Sequence, residues 1–234
     1  MLTYLKQAAG DLLHLFYPHV CAGCGEQLPQ KDQSVCLSCF LALPATNFQH
    51  ISGNAVEKIF YGRLKISVAM AAYFFSKNSP LQQIIHAFKY ENHRDVCIQM
   101  GVWMGEYIQH CSRMHHVELL IPMPLHLSRE KKRGYNQAAL LCEGIHRVSG
   151  IPYHIDAVAR LKSTETQTRK SRTARWQNVQ SGFVIKDPSA IENKHILLVD
   201  DVITTGATLE ACGEVILKTN PASLSIAALG WASE

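Results

Sequence analysis

The chain has 234 residues, enough for one medium-sized domain with a small appendage and a packed core. At 47% hydrophobic and 18% charged it has the composition of a globular protein, not of a disordered tail. The formal charge of +4 is too mild by itself to imply a nucleic-acid partner, and the longest uninterrupted apolar stretch, Val68 to Phe75, is far short of a membrane span.

Taken in chain order, Leu2, Leu5, Leu12, Leu13 and Phe16 fall on one helical face, the pattern of a docking helix. Asp11 and His14 interrupt that run and no small-residue cleavage site follows, so the expected location is the cytoplasm. Cys21, Cys24, Cys36 and Cys39 then read C-x2-C-x11-C-x2-C. Two thiolates separated by two residues grip one tetrahedral ion from a tight turn, and the second pair closes the site. The spacing predicts structural zinc, since four thiolates leave no open coordination position. A pair of disulfides is the rival, disfavoured in a reducing cytosol, and a thioredoxin-type redox pair lacks the strand-to-helix setting. Pro44 to Gly53 looks like the exit from this module, which divides the chain into residues 1–55 and 56–234.

Val68 to Phe75 has strand composition, and Leu81 to Tyr90 and Asp95 to Met114 have helical length and periodicity. A strand at Val117 to Ile121 runs into Pro122-Met123-Pro124. Tyr135 to Val148 reads as a helix, Tyr153 to Val158 as a strand, and Phe183 to Ile185 as a short strand. A helix at Ala207 to Lys218 and a strand at Ser223 to Leu229 complete the order. Strands alternating with helices predict an α/β fold with a doubly wound parallel sheet. Cys97, Cys111, Cys142 and Cys212 are expected as buried free thiols. The histidines show no H-E-x-x-H arrangement.

The densest chemistry lies in His195 to Thr208, HILLVDDVITTGAT. Ile196 to Val199 is the apolar run of a strand buried on both faces, and Asp200 and Asp201 follow at its carboxyl end, where open α/β sheets place their ligand crevice. Thr204, Thr205, Gly206, Ala207 and Thr208 lead into a helix whose unpaired N–H groups suit a phosphate. Two carboxylates beside a phosphate cradle suit a sugar phosphate, the acids on ribose hydroxyls and the loop on the 5′-phosphate. The P-loop and dinucleotide fingerprints are both missing. A purely structural Thr/Gly turn is the plain alternative.

This segment resembles the phosphoribosyl-pyrophosphate (PRPP) signature of type I phosphoribosyltransferases. The resemblance implies ribose binding by Asp200 and Asp201 and phosphate binding by Thr204 to Thr208, with Mg2+ accompanying PRPP. It also gives a role to the polar stretch Ser163 to Gly182, which lies where such transferases carry a mobile loop. Arg160, Lys162, Arg169 and Arg172 would close over pyrophosphate and exclude water, unless the stretch is a solvated surface loop.

More of the chain resembles the ComF (competence protein F, or GntX-like) relatives, which pair a four-cysteine knuckle with a type I phosphoribosyltransferase domain. The matching stretches are CAGC and CLSC, AFKY at Ala87 to Tyr90, IPMPLHLSREKKRGYNQA at Ile121 to Ala138, Thr164 with Gln167, and Arg175 to Val179. By that resemblance Pro122, Met123 and Pro124 form a pyrophosphate-facing loop, and Arg133 to Gln137 open the helix below it. Lys170 departs from the apolar residue common there, and Thr204 stands where purine-salvage enzymes carry an aspartate. A threonine does not act as a general base, which argues against hypoxanthine or guanine salvage.

The family implication is a role in natural competence, handling single-stranded DNA with a helicase partner. Two functions compete: a Mg2+-dependent transferase releasing pyrophosphate, and a non-catalytic module that binds PRPP, a nucleotide or single-stranded DNA. A scaffold that recruits a partner through the zinc knuckle and N-terminal helix is compatible with either.

Overall fold

The computed structural model describes residues 19–29, 33–90, 93–161 and 182–232. The expected docking helix, Lys162 and almost all of the Ser163 to Gly182 loop, with the Thr164/Gln167 and Arg175 to Val179 motifs, lie outside the described residues.

Four strands make one parallel sheet: β1 (Ala69–Phe74), β2 (Leu119–Pro122), β5 (His195–Ile203) and β6 (Ser223–Trp231), in the order β1-β6-β5-β2. The central strands are buried on both faces: Ile196 to Val199 on β5 and Leu224 to Leu229 on β6 are buried throughout and apolar except for Ser225. That is why these runs show no alternation. The two remaining strands, β3 (Val158–Arg160) and β4 (Phe183–Ile185), pair antiparallel in a separate two-stranded sheet.

The helices of the described residues are α1 (Leu37–Leu41), α2 (Ala55–Phe60), α3 (Pro80–Tyr90), α4 (Arg94–Gln109), α5 (Leu127–Arg133), α6 (Gln137–Ser149) and α7 (Ala207–Leu217). Asn54 caps α2, its side chain accepting from the N–H groups of Val56 and Glu57. Its amide also donates to the Ala69 carbonyl at 2.9 Å, which pins the helix start to β1. Helix α6 packs on β5 and β2, and α7 on β6 and β4. The tightest helix pair is α4 with α6, where Gly101, Gly105 and Gly144 let the backbones meet.

Two expectations shift, and one run takes a form the sequence left open. Tyr153 makes only an isolated parallel bridge to Leu120, so the strand expected over Tyr153 to Val158 is replaced by β3, which begins where that run ends. The basic run REKKR is helical: His126 caps α5, its ring accepting from the Ser128 N–H, and Gly134 closes it at φ +79°. The following helix opens at Gln137 with Asn136 as its N-cap, not at Tyr135. Tyr135 is spent on packing, its hydroxyl donating to the Phe88 carbonyl at 2.5 Å.

Candidate functional site

A cavity of about 150 Å3 opens at the carboxyl ends of β5 and β2, where the crevice of an open α/β sheet is expected. Asp200 and Asp201 come from β5, Met123 and Pro124 from the turn after β2, and Thr208 from the first turn of α7. Lys89 enters from the last turn of α3, Asn136 and Gln137 from the start of α6, Arg133 from the end of α5, and Arg160 from β3. The cavity therefore holds two carboxylates against three cations.

The acids differ in environment. Asp201 is paired with Lys89 at 2.6 Å, and the Asp201 N–H donates to an Asp200 carboxylate oxygen at 2.8 Å. Asp200 keeps some exposed surface, yet burial of its carboxyl, and then the charge of Asp201, push it up to about 8, against the pull of the Asp201 N–H and Lys89. A carboxyl raised from 3.8 to about 8 contributes stability that is full below the unfolded value and lost as pH rises through the folded one. Asp200→Asn is therefore expected to stabilise the protein increasingly as pH rises, the gap over wild type widening by up to about 4 kcal/mol between pH 5 and pH 8.5. Urea unfolding at the two pH values checks it, and a gap independent of pH would refute it.

The turn Thr204 to Ala207 is fixed from behind. Gly206 caps α7 in the left-handed region at φ +72°, and a Cβ there would lie 2.7 Å from the Ile59 side chain. Gly206 has no side chain to cap this helix end, and the Thr205 hydroxyl accepts from the Ala207 N–H at a long 3.5 Å. Arg63 donates to the Thr205 carbonyl at 3.1 Å and pairs with Glu210 in the first turn of α7. Thr204, Thr205 and Ala207 are exposed beside the cavity, while Thr208 lines it. Pro122 is the last residue of β2 and pairs with Val199. Met123 continues that ladder, its N–H donating to the Val199 carbonyl at 2.7 Å, and its own carbonyl accepts from the Asn136 side chain at 3.1 Å. The start of α6 is thereby tied to the Pro122 to Pro124 segment.

Of the residues expected to bind or act, Asp200, Asp201, Arg160, Met123, Pro124 and Thr208 meet at the cavity. Lys89 and Arg63 were not foreseen as site residues. Lys89 stands inside the AFKY stretch, so its motif was visible although its partner was not. Arg63 carries no signal in the sequence.

At the other end of the chain the four Sγ atoms of Cys21, Cys24, Cys36 and Cys39 lie within 4.8 Å of one another. Cys24 Sγ and Cys36 Sγ are 3.7 Å apart, close to the roughly 3.8 Å edge of a tetrahedron with Zn–S bonds of about 2.3 Å. All four are free of disulfides. The N–H groups of Gly23 and Cys36 donate to Cys21 Sγ, and that of Cys39 donates to Cys36 Sγ. Burial pushes the Cys21 thiol up, but the backbone N–H groups of Cys36, Cys24 and Gly23 outweigh it and lower it to about 7. The donor set and its spacing fit one tetrahedral metal ion. The module is clamped to α4, where the Gln99 side chain accepts from Ser34 N–H at 2.8 Å and Val35 N–H at 3.1 Å, and Phe40 packs on Trp103 with ring centroids 4.2 Å apart. The remaining cysteines, Cys97, Cys111, Cys142 and Cys212, are buried free thiols.

The family model for the phosphoribosyl transferase domain matches residues 139–230. The "DNA utilization protein YhgH" of Shigella flexneri is 27% identical over 210 residues, 88% of each chain. The "Competence protein F" of Haemophilus influenzae is 29% identical over 202 residues, 85% of this chain and 78% of that protein. A solved glutamine PRPP amidotransferase from B. subtilis overlaps 61% of this chain and 30% of its own, at 15% identity and a TM-score of 0.44. No helix among the described residues is long and apolar enough to cross a membrane. The chain is thus similar along most of its length to the YhgH and competence F proteins, and a phosphoribosyl transferase domain is matched inside it.

Proposed function

We propose that the cavity binds PRPP and that the protein transfers its phosphoribosyl group with release of pyrophosphate. The observation that carries this reading is the meeting of Asp200 and Asp201 with the start of α7 at one end of β5. The carboxylates take the ribose hydroxyls, and the N–H groups and hydroxyls of Thr204 to Thr208 take the 5′-phosphate. Met123 and Pro124 face the pyrophosphate, and Arg160, with Lys162 beyond the described residues, stabilises its charge as it departs. Two hard carboxylates fit a Mg2+ ion that arrives on the diphosphate, and that ion supplies neutralisation of the leaving group. Thr204 offers no general base, so the acceptor must bring a good nucleophile.

In this reading zinc fills the four-cysteine cluster, residues 1–55 form the metal module and residues 56–234 the transferase unit. Residues 44–54 form the joint, pairing along β1 through Phe74 N–H to the Pro44 carbonyl and Thr46 N–H to the Ala72 carbonyl. The names of the relatives support a role in DNA utilisation or competence, with single-stranded DNA or an uptake helicase as the partner to test.

The test is calorimetric titration of PRPP with and without Mg2+ on zinc-quantified protein. Saturable, Mg2+-dependent binding is expected, and Asp200→Asn with Asp201→Asn should lose at least about 100-fold in affinity, the scale of two charge-assisted hydrogen bonds. Unchanged affinity in that folded variant would remove the reading. Pyrophosphate release in an acceptor screen then separates a transferase from a binding module.

A further inference from the structure

Among the cations lining the cavity, Lys89 is paired with one of the two acids. Its Nζ lies 2.6 Å from an Asp201 carboxylate oxygen, with side chains only 20% and 16% exposed. Two neighbouring residues hold it there. The Tyr135 hydroxyl donates to the carbonyl of Phe88, one residue before it, and Arg94 packs over the Tyr135 ring at 5.5 Å. Lys89 also sits in the last turn of α3, where the helix dipole favours a cation.

The geometry points to Lys89 as the resident counter-cation of the acidic pair: it occupies Asp201 until a diphosphate-bearing ligand arrives, and so bars free divalent metal from the site. This rests on the PRPP reading given above. The argument is one of charge exchange. Asp200 and Asp201 are adjacent on one strand end, and an unpaired second carboxylate in this half-buried place would be costly. Free Mg2+ could take Asp201 only by expelling an ammonium into a cavity already holding Arg133 and Arg160. PRPP with its metal brings a diphosphate that gives the ammonium a new partner, so both cations are satisfied together. A lysine suits this exchange because its ammonium is a compact charge on a flexible four-carbon stem, whereas an arginine would hold a carboxylate with a rigid two-pronged fork. Lys89 is a positioning residue here, since it acts through Asp201 before it meets any ligand.

The test uses full-length, zinc-loaded protein and Mn2+ as the probe, with free Mn2+ followed by electron paramagnetic resonance. Wild type and Lys89→Arg should take up little Mn2+ without PRPP. Lys89→Gln should bind it at least about tenfold more tightly, the gain should vanish on adding Asp201→Asn, and affinity for PRPP with Mg2+ should fall about tenfold, as expected for one lost charge-assisted hydrogen bond. Equal Mn2+ affinity in wild type and Lys89→Gln would overturn the proposal. A measurement without any variant guards against misfolding of Lys89→Gln: in wild type with 15N-labelled lysine, the Lys89 ammonium signal should stay in place with Mg2+ alone and move with PRPP and Mg2+ together. Movement with Mg2+ alone overturns the proposal. The two ideas fail separately, because a Mn2+ gain in Lys89→Gln with no PRPP binding by wild type would retain the counter-cation and reject the PRPP reading.

Discussion

Removing the metal from the four-cysteine cluster is expected to unfold residues 19–43 while the parallel sheet stays folded. The module has little core of its own: α1 has five residues, and Leu37 and Leu41 on it are 69% and 72% exposed. What holds it is the clustering of four Sγ atoms, the Gln99 clamp and the contact of Phe40 with Trp103. Structural zinc contributes about 10 kcal/mol or more of apparent binding free energy in small four-ligand modules, which exceeds anything the clamp can replace. A strong chelator should therefore raise amide exchange over Cys21 to Leu43 by at least about a thousandfold, an opening change of roughly 4 kcal/mol. Trp103 emission should shift as Phe40 leaves it. The loss should stop at Pro44, where pairing with β1 begins, and the amides of β5 should be unaffected. Cys39→Ser should act in the same way. If the chelator changes nothing and a reductant opens the module, the four sulfurs are held by disulfides and not by an ion.

The chain announced its acidic site more plainly than its other parts, for a physical reason. A strand buried on both faces must be continuously apolar, so the abrupt change from Leu198-Val199 to Asp200-Asp201 marks the point where the sheet meets solvent. Gly206 was equally visible because only glycine takes its left-handed turn against Ile59 without strain. The four cysteines were legible through their spacing alone. The roles of Lys89 and Arg63 were not, because each depends on a crossing that no local pattern records: the end of α3 over β5 for Lys89, and the segment after α2 behind the phosphate turn for Arg63. Helix α5 was hidden by its charges. REKKR reads as a solvated run, although His126 and Gly134 at its ends are recognisable stop signals once a helix is suspected. Of the small sheet, β4 was legible at Phe183 to Ile185, whereas β3 fell beyond the expected Tyr153 to Val158 because three residues are too few to show a period.

Gly144→Ala is expected to destabilise the protein by about 3 kcal/mol, the upper end for overpacking a core, and to weaken the ligand site with it. A Cβ on Gly144 would lie 2.2 Å from the Ile98 carbonyl oxygen and 2.7 Å from the backbone of Gly101. Both obstacles are main chain of α4, so no rotamer change relieves them and the helices must separate by an ångström or so. Gly213 provides the contrast. Its added Cβ meets the end of the Leu64 side chain at 2.6 Å, which can turn away, so Gly213→Ala should cost only about 1 kcal/mol. Helix α6 carries the disturbance to the cavity, because its cap Asn136 binds the Met123 carbonyl and Gln137 lines the wall. It also reaches the metal module, since α4 bears Gln99 and Trp103 on its other contacts. Urea unfolding of the two glycine variants, with PRPP calorimetry on each, should show a large stability loss and weakened binding for Gly144→Ala and neither for Gly213→Ala. Equal losses in the two would mean that α4 and α6 yield as easily as a leucine side chain, and that the glycine crossing does not hold the start of α6 in register with the site.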